Sequence, residues 1–331
     1  MANYNTIRGL RVKYLSADPA GAEDGQVWYN SSTGNLRVDG ILQAGSWSSG
    51  GALNTQRSDN SGTGATQSSM VTAGGYTGST RTVNTELYNG SAWTETGNMS
   101  TGRFAGGMAG TQTAAWYASG NSSPGGGRTA ATEEFGGSSW TSGGNLSTAR
   151  QQTAAQVGGS LTAGIIFGGN GGLRATEYYN GTSWATQSGA LNADKNNAMG
   201  TGTQTAAIVT GGDQPSTFQS NTEEWNGSAW SEVNNLPAVR ASGMVGGNSQ
   251  TAMKAIAGQN PSLLATCLDY DGTNWTAAPS VATARSLGAG SSANTVGTSF
   301  ISGGSASGAS YSTVTEEFTG STVVVKNLST S

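Results

Sequence analysis

Short apolar runs recur along the chain between polar turns and glycines, as in "SLTAGIIFGG" at 160–169 and "TQTAAIVTGG" at 203–212. Their length and their Gly-Gly ends predict strands, not helices. A second pattern follows each of them after a link of variable length. It reads "NTELYNGSAW" at 84–93, "ATEEFGGSSW" at 131–140, "ATEYYNGTSW" at 175–184 and "NTEEWNGSAW" at 221–230. An aromatic residue, a turn with glycine and then tryptophan at constant spacing predict a tight hairpin, because loop length fixes hairpin register. The aromatic column is Tyr88, Phe135, Tyr179, Trp225, Tyr270 and Phe318, each five residues before its anchor slot.

The anchors are Trp47, Trp93, Trp140, Trp184, Trp230 and Trp275, with Val323 in the next slot, and their spacings are 46, 47, 44, 46, 45 and 48. Each repeat holds a Trp strand, a link ending in a cation, two strands around a polar turn, and the aromatic strand. Four short strands per repeat of about 46 residues predict an all-β fold, a six-bladed β-propeller. A solenoid of parallel strands is the runner-up. The repeats fall at 47–92, 93–139, 140–183, 184–229, 230–274 and 275–322. One outer strand is surplus, since either the Trp47 strand or "STVVVKNL" could complete the last blade; the closing strand is assigned to 323–327, within a propeller domain of 46–331.

Composition narrows the chemistry. Glycine accounts for 53 of the 331 residues, and only 10% are charged, yet the aromatic residues fall at regular positions, which argues against disorder. The net charge of −4 gives no case for nucleic acid. There is no histidine, which excludes Ser-His-Asp and Cys-His catalysis and His-ligated zinc. The single cysteine, Cys267, is expected as a buried small hydrophobe. No cofactor or metal is expected. No apolar run reaches membrane-span length and the N-terminus lacks a signal-peptide core, so a soluble protein made in a cytoplasm is expected, without membrane insertion.

Gly74-Gly75, Gly168-Gly169, Gly211-Gly212 and Gly303-Gly304, with the aromatic and Trp further on, give the repeat a resemblance to the kelch family over about residues 46–327. The pair softens to Ser119-Gly120 and Ala257-Gly258. Residues 1–45 do not repeat, and "QVWYNSSTGNLRV" predicts a hairpin. The stretch "SADPAGAEDGQVWYNSSTGNLRV" resembles N-terminal modules of tailed-phage virion proteins, and the repeats resemble those of kelch-like phage proteins. The resemblance implies a virion structural or adhesion protein, assembled in the host cytoplasm and docked to other virion proteins through residues 1–45. It would display its propeller for host attachment, with host cell-surface glycan as a partner; a homo-oligomer is compatible with this. Particle decoration without a ligand, and a polysaccharide-cleaving enzyme on the same scaffold, are the alternatives to this non-enzymatic reading.

Between residues 47 and 322 there are ten Lys and Arg, and nine sit in two kinds of link. Arg57, Arg103, Arg150, Lys195, Arg240 and Arg285 end the link after the Trp strand. Arg81, Arg128 and Arg174 lie in the link between the second and third strands. Both links should share one face. The nine cations are candidate ligand residues, as a guanidinium ring gripping an anionic group by forked hydrogen bonds. The alternative is that they pair with Glu86, Glu133, Glu177, Glu223 and Glu316 and pin the blades. Recognition would then fall to the variable segments 76–84, 121–131, 213–221 and 305–314. Adjacent Glu-Glu pairs, as at 133–134, point to opposite faces of a strand and do not form a catalytic pair.

Overall fold

The computed structural model describes residues 12–19, 26–123, 127–153, 157–214, 217–291, 295–306 and 310–327. Parts of the expected docking segment (1–11 and 20–25) and of the variable links (124–126, 215–216 and 307–309) lie outside the described residues. The chain forms two compact units, Met1–Gly45 with Gly320–Ser331, and Ser46–Thr319.

In the first unit the expected hairpin is present. Val27–Asn30 pairs antiparallel with Asn35–Gln43, and Lys13–Leu15 runs parallel to Val27–Asn30. The turn is held by Asn30 Oδ1, which accepts the amides of Ser32 and Thr33 at 3.1 Å each. Asp18 accepts from the indole of the buried Trp28 (3.1 Å), from Asn30 Nδ2 (2.8 Å) and from Arg37.

The second unit is all-β, built from four-stranded antiparallel sheets in an arrangement consistent with a β-propeller. The first sheet contains Ser61–Thr66, Ser69–Ala73, Thr85–Tyr88 and Trp93–Thr96 in that order. The pattern repeats in sheets beginning at Gly107, Val157, Met199 and Met244. A last sheet joins Phe300–Ser302, Thr315–Thr319 and Ser46–Ser49. Each Trp strand therefore completes the sheet before it, with Tyr88 opposite Trp93 and Trp225 opposite Trp230. The sheets are offset by one strand from the sequence repeats.

The assignment of 323–327 as closing strand is corrected. Thr322–Asn327 pairs with Asn35–Gln43 in the first unit. The edge it would have taken is occupied by Ser46–Ser49, with Trp47 opposite Phe318. A strand edge accepts one partner, so the surplus strand is "STVVVKNL" and not the Trp47 strand.

Apolar clusters lie between successive sheets. Val71 and Ala73 of the first meet Met108, Ala115, Tyr117 and Phe135 of the second; Ile165 and Phe167 of the third meet Ala207, Val209, Trp225 and Trp230 of the fourth. The innermost strands are rich in glycine because they run close together. A Cβ on Gly158 would lie 2.2 Å from Gly202 O of the next sheet. Outer indoles reach back to the preceding sheet: Trp93 to Thr315 Oγ1, Trp140 to Thr85 Oγ1, Trp184 to Thr132 Oγ1 (2.9 Å each), and Trp230 to Thr176 Oγ1 (2.8 Å). The Trp47 and Trp275 indoles bond a link carbonyl instead, Pro279 O (2.9 Å) and Asn234 O (3.1 Å); Cys267 is buried, as expected.

Candidate recognition face

Six residues, one per sheet and each two positions after a column cation, have left-handed backbones: Asp59, Ala105, Gln152, Asn197, Ser242 and Leu287, with φ between 47° and 63°. Their peptides link sheet to sheet. Ala105 N donates to Asp59 O, Thr153 N to Ala105 O, Asn197 N to Gln152 O, Ser242 N to Asn197 O, Leu287 N to Ser242 O, and Asp59 N to Leu287 O. The series returns to the sheet where it starts. In five of the six the residue's own N–H serves one neighbour and its C=O the other, and in the third sheet Thr153 supplies the N–H; these bonds offset the cost of a left-handed conformation in non-glycine residues.

Beneath this ring lies the cation column. Arg57 pairs with Glu86, Arg103 with Glu133, Arg150 with Glu177 and Arg285 with Glu316. Each arginine also donates to backbone carbonyls, as Arg150 Nη1 does to Gly168 O (3.0 Å) and Ala175 O (3.2 Å). The carboxylates use their second oxygen on the same link that the cation ends: Ser147 N donates to Glu177 Oε2 at 2.7 Å. Burial pulls Arg57, Arg150, Arg240 and Arg285 below the usual guanidinium range, and the facing glutamates of Arg57, Arg150 and Arg285 oppose that pull. The ligand-gripping expectation for Arg57, Arg103, Arg150, Lys195, Arg240 and Arg285 is thus overturned: these residues are between 0% and 5% exposed. They pin the strands from inside.

Two sheets depart from the pattern. In the fifth, Leu268 replaces the glutamate, and Arg240 relies on Ala257 O (2.8 Å), Thr266 O (2.7 Å) and Thr266 Oγ1 (2.8 Å). In the fourth, Lys195 Nζ donates to Gly211 O, Asn221 O and Asn221 Oδ1, and Glu223 Oε1 has no hydrogen-bond partner among the described residues. Burial pushes Lys195 down to about 8. The folded state then releases this proton more readily than the unfolded chain, so stability rises as pH climbs from about 8 towards the ordinary lysine value of 10.5. Lys195→Arg supplies the missing donor to Glu223 Oε1; Arg57 already occupies the equivalent place beside Asn84. The expected result is a gain of about 1–2 kcal/mol in denaturant unfolding at pH 7 and loss of the rise above pH 8.

The second carboxylate of each strand pair faces the neighbouring sheet, as strand alternation requires. Glu317 accepts from the Tyr88 hydroxyl (2.5 Å), Glu134 from Tyr179, and Glu224 from Tyr270 (2.9 Å). Burial first, and the carboxylate second, push Tyr88 up to about 12 and raise Tyr179 and Tyr270 as well. The intervening junctions have no such pair. Leu87 packs with Phe135, the Tyr178 hydroxyl accepts from Trp225 Nε1 (2.6 Å), and Lys254, bound to Asp269 (2.5 Å), stands 4.0 Å over the Phe318 ring.

What remains at the surface is the set of links between second and third strands. All but the third, a turn at 170–174, make a small hairpin whose register aligns residues that the sequence does not. Opposite the residue after the Gly pair stand Arg81 (facing Tyr76), Arg128 (facing Asn121), Phe218 (facing Asp213), Leu263 (facing Gln259) and Tyr311 (facing Ser305). One position is thus cationic in the first two sheets and apolar in the last three. Arg81 Nε and Nη2 reach Asn121 Oδ1 of the next sheet (3.1 and 3.0 Å), and Arg128 Nη2 reaches Asn170 Oδ1 (2.7 Å). Arg174, nearly half exposed, pairs with Asp194 (2.6 Å). The sequence singles out these three arginines and reaches Phe218 and Tyr311 only within the variable segments 213–221 and 305–314; it leaves out Leu263, and the alignment of the five positions is hidden because the links differ in length.

The ring's own carboxylate is Asp59, half-buried, bonded to Ser58 Oγ at 3.0 Å and pushed up to about 6 by desolvation. A raised acid binds its proton more tightly when folded, so its contribution to stability is full below 3.8 and is lost as pH rises through about 6. Asp59→Asn keeps the hydrogen bond and tolerates the left-handed backbone. The variant and wild type should be equally stable at pH 4, with the variant ahead by on the order of 2 kcal/mol at pH 7 in parallel chemical denaturations.

No family model and no curated protein matches the chain. Its fold is similar to that of the solved protein YjhT, with a TM-score of 0.66 at 12% identity, covering 83% of this chain and 99% of that one. This likeness bears on the fold alone. Among the described residues there is no cluster of three metal-ligating His, Cys, Asp or Glu, and no helix long and apolar enough to cross a membrane.

Proposed function

We propose that Ser46–Thr319 is a six-bladed kelch-like β-propeller and that the chain is a virion protein of a tailed phage. It recognises a host-surface glycan with the face built from the second-to-third-strand links, without catalysis. The six-blade reading is supported by the ring of peptide hydrogen bonds that returns to its first member. Gln67 Nε2 of the first sheet, donating to Ser299 O (3.1 Å) and Phe318 O (2.7 Å) of the last, supports it further. The recognition reading rests on one observation. The repeated charges are consumed inside the unit, whereas the aligned link position changes from Arg81 and Arg128 to Phe218, Leu263 and Tyr311. A surface that only covers a scaffold has no reason to divide in this way. Of the paired glutamates, Glu133 and Glu316 are committed to arginine and Glu134, Glu224 and Glu317 to tyrosine, which supports binding over hydrolysis. The test is incubation of the purified chain with isolated host-surface polysaccharide. Saturable binding without new reducing ends is expected; release of reducing ends, or no binding, would contradict the proposal.

A further inference from the structure

The cationic and apolar halves of this face meet at the first sheet, which contacts the last on one side and the second on the other. There Tyr76, Phe104 and Tyr311 form a half-buried aromatic cluster. Tyr76 lies 5.6 Å from Phe104 and 5.7 Å from Tyr311, the latter edge-on. The Arg81 guanidinium sits 5.2 Å over the Phe104 ring. These residues come from three different sheets and two kinds of link, and the equivalents of Tyr76 in other sheets are Asn121, Asn170, Asp213, Gln259 and Ser305. Gly78 makes room for the cluster: its φ is +97°, and a Cβ there would lie 2.6 Å from the Tyr311 ring.

Resting on the recognition reading above, we infer that Tyr76, Arg81, Phe104 and Tyr311 form a binding subsite for a carboxylate-bearing sugar, such as a uronic acid residue of a polysaccharide. Aromatic rings offer flat apolar surface to the C–H face of a pyranose. Arg81 supplies the charge. Its Nε and Nη2 are fixed on the neutral Asn121 Oδ1, and Nη1 has no hydrogen-bond partner among the described residues. No carboxylate within the described residues pairs with it, in contrast to Arg174 and to four members of the buried column. A guanidinium oriented by stacking and by one amide, with its charge unanswered, is preorganised for an external carboxylate.

Polygalacturonate serves as probe and dextran as the neutral control, with binding measured by biolayer interferometry on the full chain. The wild type should bind polygalacturonate and not dextran. Arg81→Gln and Tyr311→Ala should each weaken binding roughly tenfold or more, with thermal midpoints unchanged because neither side chain is in the core. Equal binding to both polymers, unchanged affinity in Arg81→Gln, or no binding to polygalacturonate would overturn the subsite. Adsorption of the labelled wild type to host cells separates the two levels. If adsorption persists while polygalacturonate fails, the ligand class is wrong and the recognition reading stands; if adsorption is absent, that reading fails too.

Discussion

Glu177→Ala should lower the stability of the protein by about 3–5 kcal/mol, one of the two largest single-residue effects expected. The loss is not the worth of the ion pair, since desolvating two charges offsets most of their attraction. It arises because the substitution strands Arg150, whose side chain is fully buried and whose Nε already has no hydrogen-bond partner among the described residues. The Ser147 amide loses its acceptor at the same time. The double variant Arg150→Met/Glu177→Leu removes both charges and should recover much of the loss. Urea unfolding of the two variants separates a pinning role from a ligand role, because a ligand-binding arginine at the surface would show little change in either.

Trp184→Ala should cost a similar 3–5 kcal/mol. Trp184 is 7% exposed, stacks on Tyr179 at 4.8 Å, meets Trp116 edge-on at 5.1 Å, and bonds Thr132 Oγ1 in the preceding sheet. Its removal opens a cavity between two sheets and leaves a threonine hydroxyl without its donor. Trp47→Ala, at the corresponding place in the last sheet, should cost only about 1–2 kcal/mol. Trp47 is half-buried and its indole bonds a link carbonyl, Pro279 O, as the Trp275 indole bonds Asn234 O. The order of the two thermal midpoints checks the argument: Trp47→Ala must lie well above Trp184→Ala.

The sequence makes the sheet hairpins legible because Asn-Gly and Asp-Gly turns fix register, so the aromatic and Trp columns face each other as their spacing requires. Cys267 was equally readable, since a lone cysteine among apolar strands has few other places to go. The site was less so. Arg57 and Arg81 are the same residue type in links on the same side, yet one is fully buried against Glu86 and the other half-exposed over Phe104. Only packing separates them. The ring of Asp59, Ala105, Gln152, Asn197, Ser242 and Leu287 has no common side chain, because its function resides in the backbone. The sequence leaves the closing strand open between the Trp47 strand and "STVVVKNL", since both fit the repeat's outer slot. Pairing is decided by which edge is open, and the first unit offers Asn35–Gln43 to "STVVVKNL".

Competition for host adsorption tests the central claim most directly. On the proposed virion reading, the purified chain, added to host cells before phage particles, should block their attachment in a dose-dependent manner. A chain carrying Arg81→Gln, Arg128→Gln and Tyr311→Ala should fold with an unchanged thermal midpoint and fail to block. Undiminished attachment in the presence of saturating wild-type chain would contradict the account.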